Sequence, residues 1–178
     1  MRALILALLL LPAHAIQAGN LFEEGNPGGR KQFEPYFDDE TTPWQEIQAN
    51  LPAYPQPANL VRIEIGPTAR HEVFVDAKSL SSDADGVVRY SLLVKSAAGA
   101  ETVSYEGMRC ENAERKIYAF GRPSGEWARN RRAAWGQIPV RAANNPHGIL
   151  FFHYFCSVNS KRDTLELQRI LRSGGLYQ

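Results

Sequence analysis

The run Val87-Val88-Arg89-Tyr90-Ser91-Leu92-Leu93-Val94-Lys95-Ser96, turning through Ala98-Gly99-Ala100 into Glu101-Thr102-Val103-Ser104-Tyr105-Glu106-Gly107-Met108-Arg109-Cys110, decides the fold. In its first half Val88, Tyr90, Leu92 and Val94 alternate with Arg89, Ser91 and Lys95. A period of two with one apolar and one polar face is the mark of a half-buried antiparallel strand. The two halves are similar in length and joined by a glycine turn, so they read as a hairpin. In the second half Val103 and Tyr105 share a face, while Met108 and Cys110 have the opposite parity. A bulge at Gly107 would bring all four to one side.

Outward from this hairpin the strand pattern continues. Asp85-Gly86 is a turn signal, Glu72–Asp76 a short strand, and Leu60–Ile65 an alternating strand built on Val61, Ile63 and Ile65. Downstream, Arg115–Gly121 is a fifth strand, ended by Arg122-Pro123-Ser124-Gly125. The C-terminal part is helical. Asn145-Pro146 reads as a cap and first helical residue, and His147, Leu150, Phe151, Tyr154 and Phe155 recur at helical spacing. The aromatic run Ile149–Phe155 also fits a buried strand, and helix is the preferred reading. Asp163–Arg172 has Asp163 as cap, Glu166 three residues on, Leu167, Ile170 and Leu171 as its apolar face and Gly174 as its stop. Strands followed by helices predict an α+β fold, with a mainly antiparallel sheet of about five strands over Leu60–Gly121.

The N-terminal part is different. Met1-Arg2, the apolar run Ala3–Leu11 and Ala13-His14-Ala15 have the order of a secretory signal peptide, with the cut expected before Ile16 or, second, after Ala18. Nine apolar residues are too few for a spanning helix, which needs about 20. The expected address is therefore the periplasm, with no membrane span after cleavage. Residues 16–58 read as a disordered arm rich in proline and glycine. Ile16–Pro57 holds seven acidic and two basic residues, a net −5, and six of the eleven prolines. A helical turn at Pro43–Leu51 is expected there, capped by Thr42 and presenting Trp44, Ile47 and Leu51 on one face. Residues 59–178 form the single domain. Once Arg2 leaves with the leader, basic and acidic side chains stand at 19 each, so global charge points to neither nucleic acid nor a membrane.

Cys110 and Cys156 are the two cysteines. In an exported chain an even count reads as a disulfide, here joining the end of the sheet to the helical region. A redox pair, a nucleophile beside His147 or His153, and metal ligation fit less well: the pair lacks close spacing, and a free thiol is at odds with the compartment. His71, His147 and His153 form no recognisable metal motif, so no metal or cofactor is expected. Asp83-Ala84-Asp85-Gly86 resembles part of a calcium loop, but an EF-hand register would put Leu92 where a bidentate glutamate belongs. Neither a Gly-x-Ser-x-Gly serine nor a glycine-rich phosphate loop occurs.

One segment has binding character. Arg109–Arg141 holds eight basic and three acidic residues, a net +5. Within it Arg122, Arg129, Arg131 and Arg132 surround Trp127 and Trp135. Guanidinium forks bind phosphate or carboxylate, and indoles stack on rings or sugars. The plainer reading of the same residues is two core tryptophans with a solvated arginine rim, or a rim paired with the acidic arm.

Val75-Asp76-Ala77-Lys78-Ser79-Leu80, Asp85-Gly86-Val87-Val88-Arg89-Tyr90, Ser104-Tyr105-Glu106-Gly107-Met108-Arg109-Cys110, Tyr118-Ala119-Phe120-Gly121-Arg122, Trp127, Trp135 and Phe155-Cys156 occur in this order. Together they resemble the CNP1-like family of small exported bacterial proteins, over roughly Leu60–Arg172. The resemblance implies a periplasmic protein of a Gram-negative bacterium and supplies no activity. The functional expectation is a non-enzymatic interaction module that recognises an envelope protein or anionic envelope component. The alternative is an envelope hydrolase using Glu106, Arg109 and His147.

Overall fold

The computed structural model describes residues 43–142, 144–157 and 160–176. The expected leader, the cleavage sites expected for it and the expected cap Thr42 lie outside the described residues. The main sheet is an antiparallel meander: β1 (Leu60–Ile63), β2 (His71–Ser82), β3 (Val87–Ser96), β4 (Glu101–Arg109), β5 (Glu114–Gly121) and β6 (Trp127–Arg129) are neighbours in chain order. A short β7 (Gly136–Gln137) also pairs with β5. Helix α1 (Pro146–Ile149) runs on into a π-helical turn, Leu150–Phe155. The two-stranded β8 (Cys156–Ser157) and β9 (Ser160–Lys161) and helix α2 (Thr164–Ser173) complete the order. The expected antiparallel sheet, C-terminal helices and single disulfide are all present. The sheet has seven strands in place of about five, because the arginine-tryptophan segment contributes β6 and β7. No described helix is long and apolar enough to cross a membrane.

The local signals act as their chemistry dictates. Asn145 accepts a hydrogen bond from the His147 amide at α1, and Asp163 accepts one from the Glu166 amide at α2. Gly174 ends α2 at φ 84°, a left-handed conformation in which glycine meets no Cβ penalty. The run Ile149–Phe155 is helical rather than extended. Strand β2 continues beyond the expected Asp76 through an irregularity between Asp76 and Ser81. There the Ser79 hydroxyl accepts from the Ser91 amide at 2.7 Å and donates to the Asp76 carbonyl. A side chain thus replaces the lost ladder bonds.

The sheet is covered on both faces. On one, Val73, Val75, Val88, Tyr90, Leu92, Met108 and Cys110 pack against Leu150, Tyr154, Phe155, Leu167 and Leu171. Tyr90 and Phe155 stack with ring centroids 4.8 Å apart. On the other face, Tyr105, Tyr118 and Ala119 pack under Ala49, Leu51 and Trp127. That second cover is an extended strap, residues 43–56. The helical turn expected at Pro43–Leu51 does not form, because its backbone groups are bonded to the sheet. The Ile47 amide donates to Asp85, and its carbonyl accepts from Arg89. This part of the expected arm is docked.

Two-sided burial corrects the reading of Gly107. The β3–β4 register runs without a shift from Val87↔Arg109 to Lys95↔Glu101. Tyr105 therefore faces the strap while Met108 and Cys110 face the helices, and both are buried. The shift lies instead between β4 and β5, where Tyr105 opposes Ala119 and Glu106 opposes Ile117, leaving Tyr118 as the extra residue. Gly107 is small for another reason. A Cβ there would stand 2.5 Å from the Tyr118 hydroxyl. Gly107→Ala is expected to lower stability by about 1–3 kcal/mol, and a Tyr118→Phe background to relieve part of that loss, both read by urea denaturation.

Cys110 and Cys156 are bonded, with Cα atoms 5.5 Å apart. The bridge fastens the end of β4 to the start of β8 and closes a loop with a sequence separation of 46. Replacing both cysteines by serine is expected to cost about 4 kcal/mol on the chain-entropy estimate, seen as a lower denaturation midpoint that reducing agent no longer shifts.

Candidate functional site

Three groups of polar side chains lie on this scaffold. The first holds the strap. Arg89, on the strap face of β3, is 2% exposed. Its guanidinium bonds Asp85 at 2.6 Å, Asp83 at 2.8 Å and the Ile47 carbonyl at 2.8 Å. The Trp44 indole donates to the Asp85 carbonyl, while the Trp44 ring stacks on Arg109 at 3.9 Å. Farther along, Glu46 accepts from Lys116 at 2.7 Å, Tyr118 at 2.8 Å and Trp135 at 3.2 Å. Trp127 donates to the Pro52 carbonyl at 2.9 Å. Sequence alternation assigned Arg89 and Ser91 to a solvent face. Both are buried, because the strap lies over them.

The second group is on the helix face. Glu106 is 2% exposed and accepts from Ser104 at 2.6 Å, His147 at 2.7 Å and Tyr90 at 3.2 Å. Arg115 stands 3.7 Å away. The acceptor carboxylate places a proton on Nε2 of His147. Two of the three residues expected for a hydrolase site are therefore in contact. Arg109 is not with them: its parity on β4 puts it on the strap face, where it pairs with Glu114 at 3.1 Å. Ser104 donates its hydroxyl to the buried carboxylate and not to the imidazole, so the serine–histidine contact of a hydrolase pair is not among the described hydrogen bonds.

The third group is the basic rim. Arg122, Arg129, Arg131 and Arg132 are all exposed. Among the described residues none makes an ion pair, although Arg62, Arg89, Lys95, Arg109, Arg115, Lys116 and Arg162 all do. Trp127 and Trp135, expected to bind beside them, are partly buried and have their indole N–H groups bonded to the strap. The rim thus lacks the stacking surface that the sequence suggested.

Shallow cavities flank the β6–β7 loop. One of about 250 Å³ includes Glu46, Lys116, Tyr118 and Arg129. Another of about 220 Å³ is lined by Arg115, Ile117, Asn130, Arg132, Ala134, Gly136 and Gln137. Larger clefts of about 520 Å³ lie at the β1 end of the sheet, one including Arg62, Arg70, His71 and Lys95 together with Glu64 and Glu72, the other including Glu64, His153 and Tyr154. Among the described residues, His, Cys, Asp and Glu do not group as a metal site would require.

Three carboxylates of the first two groups, Glu106, Asp85 and Glu46, share one behaviour. Burial pushes each upward. For Glu106 the His147, Ser104 and Arg115 contacts outweigh burial, for Asp85 those of Arg89 and two backbone amides, and for Glu46 those of Lys116, Tyr118 and Trp135. All three are held below their ordinary values, 4.5 for the glutamates and 3.8 for the aspartate. A lowered carboxylate contributes stability above its unfolded value and loses it as pH falls through its folded value. Thermal melts taken from neutral pH downward should therefore show a steep loss of Tm below about pH 4.5. The Glu106→Gln variant should show a shallower slope there, whatever its Tm at neutral pH.

A model of the CNP1-like family matches residues 39–172. The match takes in the strap, the sheet, the basic rim and both helices. No match was found among curated proteins or among solved structures.

Proposed function

The chain belongs to the CNP1-like family, and for it we propose a non-enzymatic interaction module of the bacterial periplasm that recognises an anionic envelope component through Arg122, Arg129, Arg131 and Arg132. The observation that carries this reading is the rim itself. Among the described residues seven other basic side chains make ion pairs and Arg70, Lys78, Arg141, Lys161, Arg169 and Arg172 make none, but here four exposed arginines fall within eleven consecutive positions, at the ends of β5 and β6 and in the loop after them. Unpaired guanidinium groups at a surface retain their full donor set for a carboxylate or phosphate. The reading narrows the surface to the arginines, because Trp127 and Trp135 hold the strap. Export by the N-terminal leader supplies the envelope address.

The hydrolase alternative is favoured by a single contact, Glu106 to His147. Against it stand the burial of Glu106 and the position of Arg109 on the opposite face. A clamp fixing α1 to the sheet accounts for the same contact.

The test is co-sedimentation with vesicles rich in phosphatidylglycerol, set against vesicles of phosphatidylcholine alone. Wild-type protein should bind the anionic vesicles and be released by salt, as exposed charge interactions are screened. Replacing Arg122, Arg129, Arg131 and Arg132 by alanine should abolish binding, with Tm unchanged within about 2 °C, since solvated surface positions contribute little stability. A large fall in Tm would assign these arginines to the structure instead.

A further inference from the structure

Within the proposed anion-recognition surface, on which this inference rests, the cleft lined by Arg115 and Arg132 has the features of a discrete site. It contains two guanidinium groups and no carboxylate in its lining. The neighbouring cavity with Lys116 and Arg129 contains Glu46, and both larger clefts contain Glu64. The basic side chains of the Lys116–Arg129 cavity and of the Arg62 cleft thus share their lining with a carboxylate; here the nearest carboxylate, Glu106, lies behind Arg115 at 3.7 Å and outside the lining.

The donors are also unspent. Arg115 reaches Glu106 at 3.7 Å, outside hydrogen-bonding distance. Its side chain is about one-third exposed, so the buried carboxylate orients the guanidinium without consuming its fork. The Arg132 guanidinium makes no hydrogen bond among the described residues, and its backbone is fixed by the Asn130 side chain, which accepts from the Arg132 amide at 3.0 Å. Asn130 in turn donates to the Ile117 carbonyl at 2.9 Å. The loop bearing Arg132 is thereby tied to the strand bearing Arg115.

The opening is kept clear by Gly136. It stands directly opposite Arg115 in the β5–β7 pair, so any side chain there would project on the face that Arg115 occupies. A Cβ at Gly136 meets no atom within 4 Å. The cleft, at about 220 Å³, is smaller than the roughly 300–1,000 Å³ of pockets that enclose drug-sized ligands. It suits a headgroup rather than a sugar chain. A carboxylate presents a single planar edge, whereas the three oxygens of a phosphate monoester can meet two guanidinium forks that approach from different directions.

We propose that the Arg115–Arg132 cleft binds a single phosphate monoester group, oriented by the buried Glu106 behind Arg115. The source is either a free phosphate compound or a phosphorylated lipid headgroup. The test follows the arginine Nε–H resonances of the full chain, disulfide intact, while inorganic phosphate is added. A parallel arm measures binding to phosphatidic acid vesicles. The expected result is saturable shifts at Arg115 and Arg132, and none at Arg122 and Arg131. Arg132→Ala and Gly136→Leu should each weaken phosphate binding about tenfold or more, without lowering Tm. The two variants act differently, one by removing a donor and the other by filling space that is open. Vesicle binding that falls with the same two variants identifies the lipid headgroup as the source. Phosphate saturation without vesicle binding identifies a free phosphate compound and overturns the envelope-surface reading. Weak, linear shifts spread evenly over all exposed arginines overturn the cleft, and phosphatidylglycerol binding lost on replacing the four rim arginines would then still uphold the broader surface.

Discussion

A guanidinium in the middle of a sheet has to be neutralised where it stands. Arg89 is that group, and much of the architecture follows from it. Transfer of an unpaired charge out of water costs far more than a domain of this size has in net stability. Asp83 and Asp85 come from the turn immediately preceding β3, which fixes that turn. A further N–H of Arg89, on the nitrogen that also bonds Asp85, reaches the Ile47 carbonyl, and Asp85 takes the Ile47 amide. One buried cation thus ties a turn, a strand and the strap together. Its own pKa is raised further by these partners despite burial, so it stays charged throughout. The opposite face repeats the arrangement with the sign reversed, around Glu106.

This pattern explains which parts of the fold were legible in the sequence. The five strands, the two helical segments, the Asn145 and Asp163 caps, the Gly174 stop and the disulfide all follow from short-range signals that do not depend on what lies above the sheet. The strap does not. Alternation of Val88, Tyr90 and Leu92 with Arg89 and Ser91 looks the same whether the polar face meets water or a second cover whose carboxylates and carbonyls satisfy it. The parity around Gly107 is ambiguous for the same reason. With one face assumed buried, the parity of Met108 and Cys110 demanded a bulge; with both faces buried it demands nothing. The glycine instead makes room for a phenol reaching across to Glu46.

The candidate site was legible in part. The four arginines stand exposed as their composition suggested. The two tryptophans were legible as aromatic and near the arginines, but nothing local in the sequence says that Trp127 meets Pro52 and Trp135 meets Glu46. In the sequence Arg115 reads as an ordinary strand residue. Its significance comes from the register that sets it beside Glu106 and opposite a glycine, and register is a property of the assembled sheet. The contact between Glu106 and His147, 41 positions apart, was suggested by residue type alone.

The strap also sets an order of assembly. Its hydrogen bonds reach forward 38 residues to Asp85 and as far as 89 residues to Trp135. A chain made or threaded from its N-terminus presents residues 43–56 long before β6 and β7 exist to receive them. Such distant closures carry a loop entropy that nearby strand pairs do not. The meander β2–β3–β4–β5 can zip from its hairpins, while the strap waits for the last of its partners. The segment that seals the second face thus emerges well before the partners that hold it, and until it closes, Arg89 and the aromatic side chains beneath it stand open to solvent.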